Sequence, residues 1–220
     1  MTSISQSINL NTFIGQFRAN IRRGIVLSKY QISKPKSVTD LKINRLLKEF
    51  DALCSNILAQ RNKKYCLIAI RSLLELFWQV EAAISSQDPE ELMNAMERLD
   101  YELLTGKKYP LASKSSVRVK IPSAYEMSAK SRLKIYENDY KVLSGVVHMN
   151  PYTLRAIDRD RLFWYSYGLY IVQLLVMSIL DTQAQLSKGS IHTSSFEPEI
   201  AYIEDSQLLI ENYKSYLKNT

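Results

Sequence analysis

Residues 162–180, LFWYSYGLYIVQLLVMSIL, run for 19 positions without a charged side chain. A helix of that composition has to be covered all round, either by lipid or by other helices of its own chain. The length just spans a bilayer, and Arg155, Arg159 and Arg161 precede it as a cytoplasmic anchor would. Three tyrosines, Gln173, Ser166, Ser178 and Gly168 argue the other way, and no second segment of this kind occurs. The stretch is therefore read as a central helix inside a protein core, with no membrane partner.

Such a helix needs a coat, and the chain has the material for one. Only 6 glycines and 6 prolines punctuate 220 residues, while apolar residues recur at helical spacing. Residues 4–30 predict amphipathic helix broken near Gly15 or Gly24, with residues 1–36 as a peripheral arm. Thr39 is placed as the N-cap of a second helix ending near residue 60. Residues 62–86 are apolar nearly all round and predict an interior helix. Asp88-Pro89-Glu90-Glu91 opens a helix that closes at Thr105-Gly106. Residues 107–124 lack helical period and predict a mobile loop with a short strand from Val117 to Ile121. A long helix is expected over 124–147. Asn150 then caps, and Pro151 begins, the helix that holds the uncharged stretch. A polar loop over 187–198 carries His192, and a last helix covers 199–218. The fold class predicted is all-α, a single-domain bundle over residues 1–220, with about six or seven helices around a central apolar one.

The net charge of +7 is unevenly distributed. Residues 1–64 hold 12 Lys and Arg against 3 acids, and residues 111–164 hold 10 against 5. The intervening segment and the last one are net acidic, so much of this charge can be balanced within the fold. Cys54 and Cys66 sit in apolar helical patterns without metal-ligand spacing, which suits buried thiols in a reducing compartment. The amino terminus has no basic start followed by an apolar run, so no secretory signal is expected and the location predicted is cytoplasmic.

Two sets of polar residues interrupt these apolar faces. On the 124–147 segment, Tyr136, Tyr140, Ser144 and His148 recur every four positions and form one stripe, beside which Gly145 lowers helix stability unless something packs close. His148 falls at the helix carboxyl end, where the dipole favours a cation able to meet phosphate or carboxylate. On the 62–86 segment, Arg71 and Glu75 lie four apart, and buried charges must be paired. Arg71, Glu75, Tyr140, Ser144 and His148 are thus expected to converge at the bundle centre. They would form either a network that fixes helix register or a ligand or catalytic site, with Asn150 beside it. Phosphate-loop, dinucleotide, hydrolase-elbow and zinc motifs do not occur, so no cofactor and no metal are expected.

RSLLELFWQ on one helix and YKVLSGVVHMNPY at the end of a later one, followed by an apolar helix, resemble uncharacterised prokaryotic helical proteins related to the HEPN superfamily. The resemblance covers about residues 62–180. It implies a helical bundle, often dimeric, found in toxins and phage-defence proteins, with metal-independent ribonuclease activity in its catalytic members. Those members place an Arg four to six residues before a His on one helix. Here the nearest arginine before His148 is Arg132. If cleavage occurred, His148 would act as general acid or base and Arg71 would stabilise the phosphorane-like transition state.

Three functions compete. The first is a non-catalytic interaction module, self-associating as a homo-oligomer or binding a protein partner. The second is a ribonuclease or nucleotide-binding protein using Arg71 and His148. The third is a nucleic-acid-binding protein acting through residues 18–64 and 107–134.

Overall fold

The computed structural model of the protein describes residues 4–31, 38–108, 121–133, 139–187 and 197–219. Nine α-helices and no strand occur among them. In order they are α1 (Ile4–Gln31), α2 (Val38–Ala59), α3 (Lys63–Ser85), α4 (Pro89–Thr105), α5 (Ala124–Lys130), α6 (Lys141–Val147), α7 (Pro151–Arg159), α8 (Arg161–Ser187) and α9 (Glu197–Lys218). The all-α class is as the sequence implies, but the helices exceed the six or seven expected because two of them are interrupted.

The first interruption divides the helix expected over 124–147. At Ser131 the backbone leaves the helical region, with φ −63° and ψ 145°, and the Ser131 hydroxyl accepts from Leu133 N at 3.1 Å. A serine that binds its own backbone competes with the helix ladder. Arg132 is drawn away to Asp181, at 2.8 Å, and to Thr182. The helix resumes at α6 after a π-type turn at residues 139–140. The second interruption is at Asp160, with φ −138° and ψ 68°, whose carboxylate accepts from Phe163 N at 3.1 Å and caps α8 afresh.

Other boundaries follow local signals. Asp88 accepts from Glu91 N at 3.0 Å with Pro89 at the first helical position, and α4 ends on Gly106 in the left-handed region at φ 66°. Asn150 accepts from Tyr152 N at 3.0 Å and opens α7 at Pro151. Ser123 and Glu126 form a reciprocal capping box on α5. Thr39 lies inside α2 rather than capping it, since that helix begins at Val38.

The charge-free stretch lies in α8, which packs against α1, α3, α7 and α9. Arg161–Gln183 is long and apolar enough to cross a membrane, and Leu169, Val172, Leu175, Val176 and Leu180 are buried inside the fold. The polar residues of the stretch face partners: Ser166 and Tyr213 hydroxyls are 2.8 Å apart, and Gln173 Nε2 donates to Tyr202 Oη at 2.8 Å and to Ser206 Oγ at 3.0 Å. These bonds register α9 on α8.

α1 corrects the expectation for residues 1–36. It is continuous through Gly15 and Gly24, and its Phe17 and Ile21 are fully buried. Burial on that scale contributes roughly 1.5–3 kcal/mol per side chain, so α1 belongs to the core and is no peripheral arm. At Gly24 α1 passes close to α8 and α9: a methyl there would run into Val176 and lie 2.5 Å from Tyr202 Oη. Most of the loop expected at 107–124, including all but the last residue of its strand, and His192 of the 187–198 loop lie outside the described residues.

Candidate functional site

The Arg71, Glu75, Tyr140 and Ser144 side chains meet where α6 crosses α3. One turn of α3 separates Arg71 from Glu75, and their Nη2 and Oε1 atoms lie 3.0 Å apart. Arg71 Nη2 also donates to Tyr140 Oη at 3.0 Å, and Arg71 Nε donates to Ser144 Oγ at 3.3 Å. The Tyr140 hydroxyl in turn donates to Glu75 Oε1 at 2.6 Å. Trp78, one turn beyond Glu75, is fully buried, and its ring centroid lies 5.2 Å from that of Tyr140. Arg71 Cζ stands 5.2 Å from the Tyr140 centroid, so the guanidinium touches both the hydroxyl and the π face of one residue.

The electrostatics suit a closed network. Burial, reinforced by the hydrogen bond to Glu75, pushes the Tyr140 phenol above its ordinary pKa and keeps its proton in place as a donor. The Arg71 and Glu75 side chains are 22% and 32% exposed, so the cluster lies at the edge of the core and not at its centre, as the sequence implied. A phosphate approaching Arg71 would compete with Glu75 for the same guanidinium face.

His148 is not among the hydrogen-bonded members of this cluster among the described residues. It is exposed and closes α6, its backbone N–H donating to Ser144 O at 2.9 Å. Asn150 serves as the cap of α7. Tyr136 lies outside the described residues. Gly145 has the close neighbour its position demanded: a methyl there would lie 2.6 Å from Thr153 Oγ1, so α7 can fold back on α6 only over a glycine.

No family model, curated protein or solved structure matches this chain.

Three features escaped the sequence reading. Asp139, buried at the π-type turn, accepts from Tyr167 Oη of α8, and burial pushes both groups above their ordinary pKa. Arg132 bridges Glu81 of α3, at 3.4 Å, and Asp181 of α8 beside a cavity of about 510 Å³ lined by Ser85, Met127, Lys130 and Thr182. Asp51, 4% exposed on α2, faces Ser28 and Lys29 of α1. Each joins residues far apart in sequence, and only Asp51 carried a visible signal, as an acid on an apolar face. Among the described residues no group of three His, Cys, Asp or Glu side chains could hold a metal ion.

Proposed function

We propose that this protein is a helical interaction module that works by self-association, of the kind the HEPN-like resemblance implies for defence and toxin systems. The state of Arg71 carries this reading. Its guanidinium is engaged by Glu75, Tyr140 and Ser144, and His148 is exposed and outside their hydrogen bonds, which favours a structural use of Arg71 over a catalytic one. The cluster acts to hold α6 in register on α3. Self-association is supported by α4, whose Leu103 and Leu104 are 73% and 86% exposed, with Leu99 also exposed one turn before. The partner that buries these leucines is a second copy of the chain. The free, buried Cys54 and Cys66 suit a reducing, cytoplasmic setting.

Light scattering coupled to gel filtration tests this directly. The wild-type chain should run as a homo-oligomer, and Leu103→Asp with Leu104→Asp should run as a folded monomer. Cleavage of RNA by the purified protein that disappears in a folded His148→Ala variant would overturn the reading in favour of the nuclease.

A further inference from the structure

One end of the bundle, where α1, the α2–α3 connection, α3 and α8 meet, gathers positive charge. Arg18 donates from Nη1 to Tyr165 Oη at 2.8 Å and from Nη2 to Leu58 O at 2.9 Å, joining α1 to α8 and to the end of α2. Lys63 Nζ lies 5.4 Å from the centroid of the same tyrosine. Lys64 and Arg161 share one carboxylate, Asp158, each at 2.9 Å. Arg22, one turn beyond Arg18, is exposed, as is Arg61 on the connection into α3. Against these cations the α7–α8 junction supplies Asp158 and Asp160, and Asp160 is occupied in capping α8.

Several cations elsewhere in the fold have carboxylate partners. Arg23 meets Asp205, Lys42 meets Glu97, Arg98 meets Glu91, and Arg132 has two carboxylates. At this end Arg18 and Lys63 converge on Tyr165 and Lys64 and Arg161 on Asp158, and cations set this close repel one another unless an anion joins them. Tyr65 stands in the first turn of α3 directly after Lys63 and Lys64, and it is 57% exposed. One turn on, Ile68 and Ala69 pack against the core, and two turns on Ser72 is exposed, so Tyr65 is the exposed aromatic at this end of α3. Cations that can follow a phosphate backbone, set beside an exposed aromatic face on which a base can stack, are the two components of single-strand recognition.

We infer that this end of the bundle binds single-stranded nucleic acid, with phosphates on Arg22, Arg61, Lys63 and Lys64 and a base stacked on Tyr65. The inference does not depend on self-association or on the Arg71 cluster.

The test is fluorescence anisotropy of a labelled oligothymidylate of about 20 nucleotides, long enough for one such site, against the full chain. Affinity should fall as salt rises, with a log–log slope of about −0.7 for each phosphate neutralised. Arg22→Ala with Lys63→Ala should weaken binding at least about tenfold and flatten that slope. The charge-matched pair Arg45→Ala with Lys130→Ala, beside Gln79 and Ser85 towards the other end of α3, should leave it unchanged. Tyr65→Ala should lose roughly tenfold and Tyr65→Phe should bind as wild type. Thermal melts establish that each variant is folded; if Lys63→Ala is not, Arg22→Gln with Arg61→Gln, both at exposed positions, carries the same expectation. Absence of binding at low salt, equal loss in the two charge-matched pairs, or wild-type binding by Tyr65→Ala would each overturn the inference. So would sedimentation with phosphatidylserine vesicles, lost on removing Arg22 and Lys63, by a chain that ignores the oligonucleotide.

Discussion

The Tyr140 hydroxyl sits 2.6 Å from Glu75 Oε1, across two helices and 65 positions of sequence, while accepting from Arg71 on its other side. One oxygen thus ties α6 to both members of an ion pair on α3. Tyr140→Phe keeps the ring against Trp78 and removes only that tie, so it should destabilise the fold by about 1–2 kcal/mol in denaturant titrations. Glu75→Gln combined with it should show a coupling of at least about 0.5 kcal/mol in a double-mutant cycle. Strict additivity of the two changes would mean that the bond contributes nothing to register.

Gly24 and Gly15 lie on the same helix and should respond oppositely to alanine. A methyl at Gly24 collides with Tyr202, whereas a methyl at Gly15 meets nothing within 4 Å. Gly15→Ala should therefore stabilise by roughly 0.5–1 kcal/mol through helix propensity alone. Gly24→Ala should destabilise by about 1–3 kcal/mol, since overpacking displaces the Tyr202 ring and its bond to Gln173. Paired urea titrations read both signs, and a stabilising Gly24→Ala would show that α9 is not held tightly there.

Met149 is the non-glycine residue with positive φ among the described residues, at 53°. It occupies the left-handed position just after α6, where Asn150 N donates back to Gly145 O at 2.8 Å. That turn favours glycine, and the Met149 side chain is exposed and lends little packing in return. Met149→Gly should raise stability by about 1 kcal/mol, visible as a higher melting temperature. Any loss would mean that the side chain makes a contact worth more than the backbone strain.

What the sequence made legible were features set by near neighbours or by a charge balance. Asp88-Pro89 and Asn150-Pro151 needed only the next turn of chain to act as helix starts. Arg71 and Glu75 announced a need for partners because charges on an apolar helix require them, though the order Arg before Glu pointed to partners on another helix as much as to each other, and Tyr140 and Ser144 followed from their spacing. The two extra helix breaks were hidden because their causes are tertiary or compete with a strong pattern. Arg132 leaves the α5 line for Asp181 and Thr182, far along the chain, and the Asp160 cap was masked by the apolar run it precedes. His148 fell outside the cluster because α6 ends one residue before it, so the four-residue stripe runs out at Ser144. The capping box at Ser123 and Glu126 was present in the sequence and could have been found from its spacing.

Asp51 gives the fold a pH dependence whose sign can be worked out. Burial pushes its carboxyl up to about 6 from an ordinary value of 3.8, and Ser28 and Lys29 offset only part of that effect. Between those two values the folded chain holds a proton that the unfolded chain has released. Its contribution is therefore favourable below about pH 4, declines as pH rises through the window, and is fully lost above about pH 6, a difference of about 2–3 kcal/mol. Asn at this position carries no charge to desolvate. The gap in unfolding free energy between Asp51→Asn and wild type should thus widen in favour of the variant as pH goes from 4 to 7.5, whatever the other carboxylates contribute to both proteins. The opposing case is Asp158, held below the usual carboxylate range by Lys64 and Arg161, whose stabilisation is lost as pH falls. Because Asp158 is unchanged in both proteins, its effect cancels in the comparison. A gap that stays flat across the range would show that Asp51 reaches solvent and titrates as an ordinary aspartate.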